Sequence, residues 1–174
     1  MITRMGVSRE TLERSALLVI DMQQPGVSIV EKDAHDRMIA AQKDMIRYSN
    51  HHDIPILFIE TKGQGETPTI DELVKEAEPN NTTAFAVKVE NNAFLYWDIE
   101  KQLRLWKKDH LILTGINASA CVLDSAVGAI NKGYAVSTAE QLIEDYQQSS
   151  VSNKSVDQYR IIGNFLDDYK DFML

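Results

Sequence analysis

Short apolar runs alternate along the chain with stretches in which apolar residues recur at helical spacing. Five runs are typical of buried strands, and they lie at Ala16–Ile20, Ile56–Ile59, Ala84–Val89, His110–Thr114 and Tyr134–Thr138. Pro55 introduces the second run, where its missing N–H is tolerated. Gly115 follows the fourth run directly, and we expect it to end that strand.

The segments between these runs have the period of amphipathic helices. The predicted helices are Asp33–Ser49, Ile70–Ala77, Tyr96–Lys108 and Ala120–Asn131, with a last one marked by apolar residues from Val156 to Tyr169. Gly133 lies where the fourth helix is expected to stop. The segment 61–69 reads as a loop, and Asp171–Leu174 is the one candidate that we find for a sixth strand.

Continuous apolar strands separated by helices indicate a mostly parallel sheet that is covered on both faces. We therefore predict an α/β protein, a three-layer α/β/α sandwich of Rossmann-like type with five or six strands, formed by residues 1–174 as a single domain. In open parallel sheets the carboxyl ends of the strands lie along one edge, where ligands bind. Polar residues that follow strands are therefore the first candidates for a functional site.

The composition is that of a globular protein with an acidic surface. Of its 174 residues 44% are hydrophobic, and 18 basic against 26 acidic side chains give a net charge of −8. Binding to nucleic acid or to an anionic membrane needs clustered basic residues, so neither partner is expected. The apolar runs are too short to cross a bilayer, and Met1–Ser15 lacks the apolar core of a signal peptide, so we expect a cytoplasmic protein.

Three chemically versatile residues lie at predicted strand ends. Asp21 follows the first strand, Lys88 lies near the end of the third, and Cys121 lies at the entry to the helix after the fourth. At a helix start a thiol is expected to have a lowered pKa, an adjacent carboxylate can take its proton, and an ammonium can hold the charges. Taken singly, each residue also has an ordinary explanation: an inert core thiol, a solvated strand end, and a lysine extended to solvent.

Asp21, Lys88 and Cys121 each lie within a longer sequence motif. The motifs are Leu-Leu-Val-Ile-Asp-Met-Gln ending at Gln23, Lys-Val-Glu-Asn-Asn-Ala-Phe starting at Lys88, and Thr-Gly-Ile-Asn-Ala-Ser-Ala-Cys-Val ending at Val122. In this order they resemble the isochorismatase-like cysteine hydrolases, a family that includes nicotinamidases and N-carbamoylsarcosine amidohydrolases. The resemblance extends roughly from Ala16 to Thr138.

The resemblance implies a catalytic triad of Asp21, Lys88 and Cys121. It also implies a cis peptide bond between Ile116 and Asn117, with the backbone amides of Asn117 and Cys121 forming an oxyanion hole. The implied reaction is cysteine-dependent cleavage of the C–N bond of a small amide or carbamoyl compound through a thioester. The substrate is then a small molecule, and a homo-oligomer (a dimer or larger) is implied as well, with the predicted helix Tyr96–Lys108 as a candidate contact.

Positions around the implied triad bear on the substrate. Gln23, Asn92 and Phe94 lie in the matching motifs and are predicted to bind substrate. At Gln24-Pro25-Gly26 many family members carry Asn-Asp-Phe, so the lip of the cleft is expected to differ. The Asp-x-His element of metal-dependent nicotinamidases is missing after the second strand. We therefore expect no metal and no cofactor, and nicotinamide is a weaker candidate substrate.

Two other functions stay open at this point. One is hydrolysis of a vinyl ether, the isochorismatase reaction, for which the family can lack the cysteine. The other is a non-catalytic scaffold for small-molecule binding or assembly. An activated Cys121 is expected to react rapidly with iodoacetamide near neutral pH, and more slowly in Asp21→Asn. A slow, core-like thiol would favour the scaffold.

Overall fold

The computed structural model describes residues 7–63, 67–80, 82–146 and 151–173. The α-helices of this part of the chain are α1 (Arg9–Glu13), α2 (Gly26–Ile29), α3 (Lys32–His51), α4 (Asp71–Ala77), α5 (Trp97–Leu105), α6 (Leu123–Asn131) and α7 (Asn153–Ile162). The strands are β1 (Ser15–Ile20), β2 (Ile56–Thr61), β3 (Thr83–Lys88), β4 (His110–Ile116), β5 (Ala135–Ala139), β6 (Ile143–Glu144) and β7 (Asn164–Leu166). Residues 1–6 of the polar amino-terminal segment, residues 64–66 of the predicted loop and Leu174 lie outside the described residues.

The strands form one parallel sheet in the order β3-β2-β1-β4-β5-β7. The short strand β6 pairs with the carboxyl end of β4, beyond the stretch of β4 that β5 covers. Every residue of β1 and of β4 is buried, because these two strands lie at the centre of the sheet between its helical layers. The predicted α/β fold, a mostly parallel sheet flanked by helices, is confirmed.

The structure differs from the sequence prediction mainly after residue 140. The described residues form seven strands, because β6 and β7 add pairs that are only two and three residues long. Strands this short carry no periodic signal. The last helix ends at Ile162, not near Tyr169. The proposed sixth strand at Asp171–Leu174 is wrong, since residues 169–172 form a 3₁₀ helix.

Gly115 does not end β4; it lies within the strand, directly opposite Ile20 at the end of β1. Its φ is +129°, and a Cβ atom there would lie 2.0 Å from the Ile20 carbonyl oxygen. Only glycine allows the two central strands to approach so closely. This contact fixes the carboxyl ends of β1 and β4 side by side, and the next residues, Asp21 and Asn117, start from there. Among the described helices, none is long and apolar enough to cross a membrane.

We expect Gly115→Ala to lower the free energy of unfolding by about 3 kcal/mol or more, because the new methyl group overlaps backbone. Gly133→Ala is the matched control. Its φ is +91°, but a Cβ there meets nothing within 4 Å, so only about 1–2 kcal/mol of backbone strain is expected. Urea unfolding measures both. Equal losses would mean that the approach to Ile20 does not constrain the sheet.

Candidate active site

A buried ion pair joins the ends of two strands at the carboxyl edge of the sheet. Lys88, the last residue of β3, donates from Nζ to Asp21 Oδ2 at 2.7 Å. Its side chain is 0% exposed and that of Asp21 is 9% exposed. Asp21 follows β1 with a φ of +54°. The pair therefore forms across β2, which separates β1 from β3 in the sheet.

Thr61 completes this arrangement from β2, the strand in between. Its hydroxyl donates to Asp21 Oδ1 at 2.8 Å and accepts from Lys88 Nζ at 2.8 Å. The third Lys88 proton is directed at the Glu90 carbonyl oxygen, 3.3 Å away. All three protons of the ammonium are therefore used within the protein, and both oxygens of the Asp21 carboxylate accept a hydrogen bond.

Gln23, a predicted substrate-binding residue, supports the same edge. Its side-chain oxygen accepts from the Thr61 N–H at 2.7 Å, and its nitrogen donates to the carbonyl oxygens of Thr61 and Thr67 at 3.1 and 2.6 Å. It is buried, and it lies beside the cleft described below. Its polar atoms hold the end of β2 in position.

Cys121 lies in a π-helical turn, Ala118–Val122, that leads from β4 into α6. The peptide bond before this turn, between Ile116 and Asn117, is cis. The Cys121 thiol is half-buried and donates to Asn91 Oδ1 at 3.4 Å. Asn117 contributes a backbone hydrogen bond to the sulfur. The thiol and this amide therefore face the same space above the ends of β1 and β4.

The pKa of the Cys121 thiol is raised, to about 11, contrary to the lowered pKa expected from the sequence. Burial is the largest cause, followed by the charge of Asp21 and a hydrogen bond to that carboxylate. Lys88 and the Asn117 amide act in the opposite direction but do not compensate. The resting site therefore holds a protonated thiol next to a carboxylate that can take the proton.

A second group of residues fixes residues 117–122, which we call the cysteine turn (Asn117 and the π-helical turn that follows it), through hydrogen bonds. Asp145 is buried, and its Oδ1 accepts from both the N–H and the hydroxyl of Ser119 at 2.8 Å. The Tyr146 N–H donates to Asn117 Oδ1 at 3.0 Å, and the Tyr159 hydroxyl donates to the Ala118 carbonyl at 2.5 Å. Three consecutive residues of the turn, 117–119, are thus fixed by groups from after β6 and from α7.

The Asp21 and Cys121 side chains open into a cleft of about 300 Å³. It is lined by Asp21, Gln23, Gln24, Pro25, Gly26, Ile29, Thr61, Val89, Asn91, Cys121 and Tyr146. The Gln24–Pro25 peptide bond, at the lip that departs from the family pattern, is cis. Two residues of the predicted triad, Asp21 and Cys121, thus line a cleft of small-molecule size, and the third, Lys88, is buried behind Asp21.

Two predicted substrate-binding residues lie outside this lining. Asn92 accepts from the Phe94 N–H at 2.8 Å and packs against Gly128 of α6. Phe94 is buried, and its ring packs at a tilt against that of Tyr134, which precedes β5, with 5.5 Å between the ring centroids. Both side chains stabilise the turn after β3 and its packing on α6. They are not in contact with the cleft.

The residues of the site that the sequence does not identify include Thr61, Asn91, Asp145 and Tyr146. The sequence predicts a loop from residue 61, because the apolar run ends at Ile59, and so it does not indicate that Thr61 ends a strand as Asp21 follows one. Asn91 lies in the motif that starts at Lys88, but the resemblance implies a role for its neighbour Asn92. Asp145 follows Glu144, the last residue of β6, and this two-residue strand is too short to give a periodic signal in the sequence.

The histidines lie apart from the cleft. His110 is buried between the hydroxyls of Ser15 and Ser137, at 2.6 and 2.7 Å, at the amino ends of β1 and β4. Burial lowers the pKa of this imidazole to about 4. Within the described residues, no cluster of three or more His, Cys, Asp or Glu could hold a metal ion.

We expect Asp21→Asn to lower the pKa of the Cys121 thiol, because it removes two causes that raise it and leaves Lys88 in place. Thiolate then forms at lower pH, and its fraction at about pH 8 rises roughly tenfold for each unit by which the pKa falls. Alkylation by iodoacetamide becomes faster by a smaller factor, because a thiolate of lower pKa is a weaker nucleophile. This reverses the slowing expected from the sequence. The measurement is the alkylation rate as a function of pH. Asp157→Asn, the same change on the exposed surface of α7, is the control, and an unchanged profile in Asp21→Asn would contradict the electrostatic coupling.

Comparison with known proteins places this site in a family. Residues 15–165 match the Isochorismatase domain family. Isochorismatase family protein 1B of Dictyostelium discoideum is 29% identical over 129 residues, covering 71% of this chain and 60% of that protein. The chain thus spans less than two thirds of the length of this relative.

Solved structures share the fold at lower identity. A cysteine hydrolase from Pseudomonas syringae matches with a TM-score of 0.78 at 13% identity, over 99% of both chains. The MAR1 ribonuclease of Caenorhabditis elegans matches at 0.75 and 23%, over 91% of this chain and 79% of that one. The nicotinamidase of Staphylococcus aureus matches at 0.71 and 18%, over 89% and 99%. The family match covers most of the sheet and the whole of the cleft, and on that basis this chain belongs to the isochorismatase family.

Proposed function

We propose that the protein is a cysteine-dependent hydrolase that cleaves the C–N bond of a small amide or carbamoyl compound. The observation that carries this proposal is the meeting of a thiol, a carboxylate and an ammonium at one end of a cleft. Asp21 accepts a hydrogen bond from Lys88, and its carboxylate lies close enough to Cys121 to raise the pKa of that thiol. A nucleophile beside a base that is itself oriented by a third group is the general pattern of covalent catalysis.

The first step is attack by sulfur on the carbonyl carbon of the substrate. Asp21 takes the thiol proton as the S–C bond forms, because the raised pKa of Cys121 keeps that proton in place until then. The negative charge that Asp21 loses on taking the proton appears on the carbonyl oxygen. Lys88 stays bonded to Asp21 and offsets the negative charge of the site throughout.

The developing oxyanion is stabilised by backbone amides of the cysteine turn. The Asn117 N–H already points at the sulfur region, and with the Cys121 N–H it supplies two donors. Loss of one such donor typically costs about 2.7–4 kcal/mol of transition-state stabilisation. Asp145 and Tyr146 act here as positioning residues, because their hydrogen bonds to Ser119 and Asn117 hold the turn in place.

Collapse of the tetrahedral intermediate breaks the C–N bond. Asp21 returns its proton to the leaving nitrogen, which departs as ammonia or an amine and leaves a thioester on Cys121. Water then attacks the thioester with Asp21 as the base, and the acid product leaves as the thiol regains its proton. Amide and water are thus converted to acid and amine, with no other reactant.

The similar structures support an amide substrate in part. One is a nicotinamidase and another a cysteine hydrolase, whereas a third is a ribonuclease. A net charge of −8 disfavours RNA as the substrate of this chain, because binding to phosphates depends on basic residues. A small neutral or weakly polar molecule is more compatible with a cleft of about 300 Å³.

We also propose that copies of the chain associate through β3 and α5. Phe85 and Val87 on β3 and Leu105 on α5 are exposed apolar side chains that border one shallow cleft, together with Asp98 and Lys101. In a two-fold contact Asp98 of one copy can pair with Lys101 of the other.

Val87→Lys places a charge in this contact and should therefore lower the molecular mass measured by analytical ultracentrifugation. A wild-type protein that remains monomeric at high concentration would contradict the association.

Ammonia release from a panel of small aliphatic and aromatic amides and N-carbamoyl compounds tests the reaction. Cys121→Ser, Asp21→Asn and Lys88→Met are each expected to reduce kcat/KM at least about 1,000-fold, because the three groups act as one unit. Ile161→Ser, at an exposed position on α7, is the control and should retain full activity. Mass spectrometry of quenched enzyme should detect an acyl group on Cys121.

Two outcomes would contradict the proposal. Cleavage of a vinyl ether without ammonia release would favour the isochorismatase reaction. Saturable binding of a small molecule with no product and no acyl-enzyme would favour a scaffold that does not catalyse.

A further inference from the structure

The wall of the cleft is made of apolar groups and neutral polar groups. Pro25, Ile29 and Val89 give it an apolar side, and Gln24, Asn91 and Tyr146 give it amide and hydroxyl groups. Among the described lining residues, Asp21 carries the one charged side chain. The electrostatic potential that a ligand meets here is therefore set by the Asp21 carboxylate, by the buried ammonium of Lys88 behind it, and by dipoles.

The positive charge next to Asp21 is not available to a ligand. The Lys88 side chain is 0% exposed, and its three protons are directed at Asp21, Thr61 and the Glu90 carbonyl. A carboxylate on the substrate would lose its hydration in the cleft without gaining a hydrogen bond from this ammonium. It would also face Asp21, which has the same charge.

Asn91 presents a hydrogen-bond acceptor beside the nucleophile. Its Nδ2 donates to Asp124 Oδ2 at 3.2 Å, and this bond directs its Oδ1 toward the Cys121 sulfur, 3.4 Å away. The thiol proton that this oxygen accepts in the resting site leaves for Asp21 during attack. The oxygen is then free to accept an N–H from the nitrogen of the substrate, which a primary amide supplies.

We propose that the cleft selects small, uncharged primary amides with an apolar substituent, and that it rejects amides bearing a carboxylate. The apolar group lies against Pro25, Ile29 and Val89, and the amide nitrogen donates to Asn91 Oδ1. This selectivity rests on the proposed amide hydrolysis, but the cleft wall imposes it on any ligand that reaches Cys121.

Butyramide and succinamate form a matched pair, since the second replaces the terminal methyl group of the first by a carboxylate. We expect kcat/KM for butyramide to exceed that for succinamate at least about 100-fold. N,N-dimethylbutyramide has no N–H to donate to Asn91. In Asn91→Ala the ratio of kcat/KM for butyramide to kcat/KM for N,N-dimethylbutyramide should therefore be smaller than in the wild type. A purely structural role of Asn91 would lower both rates equally.

Alkylation of Cys121 tests the selectivity without turnover. Iodoacetamide and iodoacetate have similar size, but only iodoacetate is charged. The measured quantity is the rate of alkylation by iodoacetamide divided by the rate by iodoacetate, and glutathione gives this ratio for a free thiol. At Cys121 we expect the ratio to be at least about tenfold larger than for glutathione. Ile29→Arg should reduce the ratio toward the value for glutathione, whereas Ile29→Gln, which adds polarity without charge, should keep it.

The two measurements separate this inference from the proposed function. Equal kcat/KM for butyramide and succinamate, or equal alkylation ratios at Cys121 and glutathione, would overturn the selectivity even if amides are hydrolysed. A protein that hydrolyses no amide but keeps the alkylation preference would refute the hydrolase and retain a cleft for neutral ligands.

Discussion

The buried ion pair between Lys88 and Asp21 is the interaction on which the site depends. It connects β3 to β1 across the end of β2, with Thr61 bonded to both partners. Removing one partner of such a pair leaves an uncompensated buried charge and typically costs about 3–5 kcal/mol. The protein buries both charges at the carboxyl edge of its sheet, although a pair of apolar side chains there would avoid the desolvation cost of buried charges. The same edge opens into the cleft with Cys121.

The state of the cysteine follows from this pair. Because burial and the charge of Asp21 raise the pKa of the thiol to about 11, Cys121 rests as a thiol. In the proposed reaction its activation depends on transfer of the proton to the carboxylate beside it, and the turn that carries it is held by Asp145 and Tyr159. The proposed chemistry is then confined to ligands that enter the cleft. A thiolate at the start of a regular helix would react with any accessible electrophile.

Strand polarity was the argument that worked best from sequence. It placed Asp21, Lys88 and Cys121 at one edge of a parallel sheet, and the structure brings all three together there. The sequence pattern does not include Thr61 in the site, because the predicted strand stops two residues early. Phe94 is predicted to bind substrate from its motif, and a motif gives the position of a residue along the chain but not the direction of its side chain. Here that side chain packs on Tyr134.

The sequence alone determined the layered α/β fold and the edge of the sheet that carries the chemistry, because both follow from local periodicity and from the shared direction of parallel strands. The tertiary structure decided what is set by packing between distant segments. The two-residue strand β6 brings Asp145 to the cysteine turn, and burial together with Asp21 reverses the expected shift of the thiol pKa. Desolvation and contacts between remote residues have no local pattern, so only the folded chain reveals them.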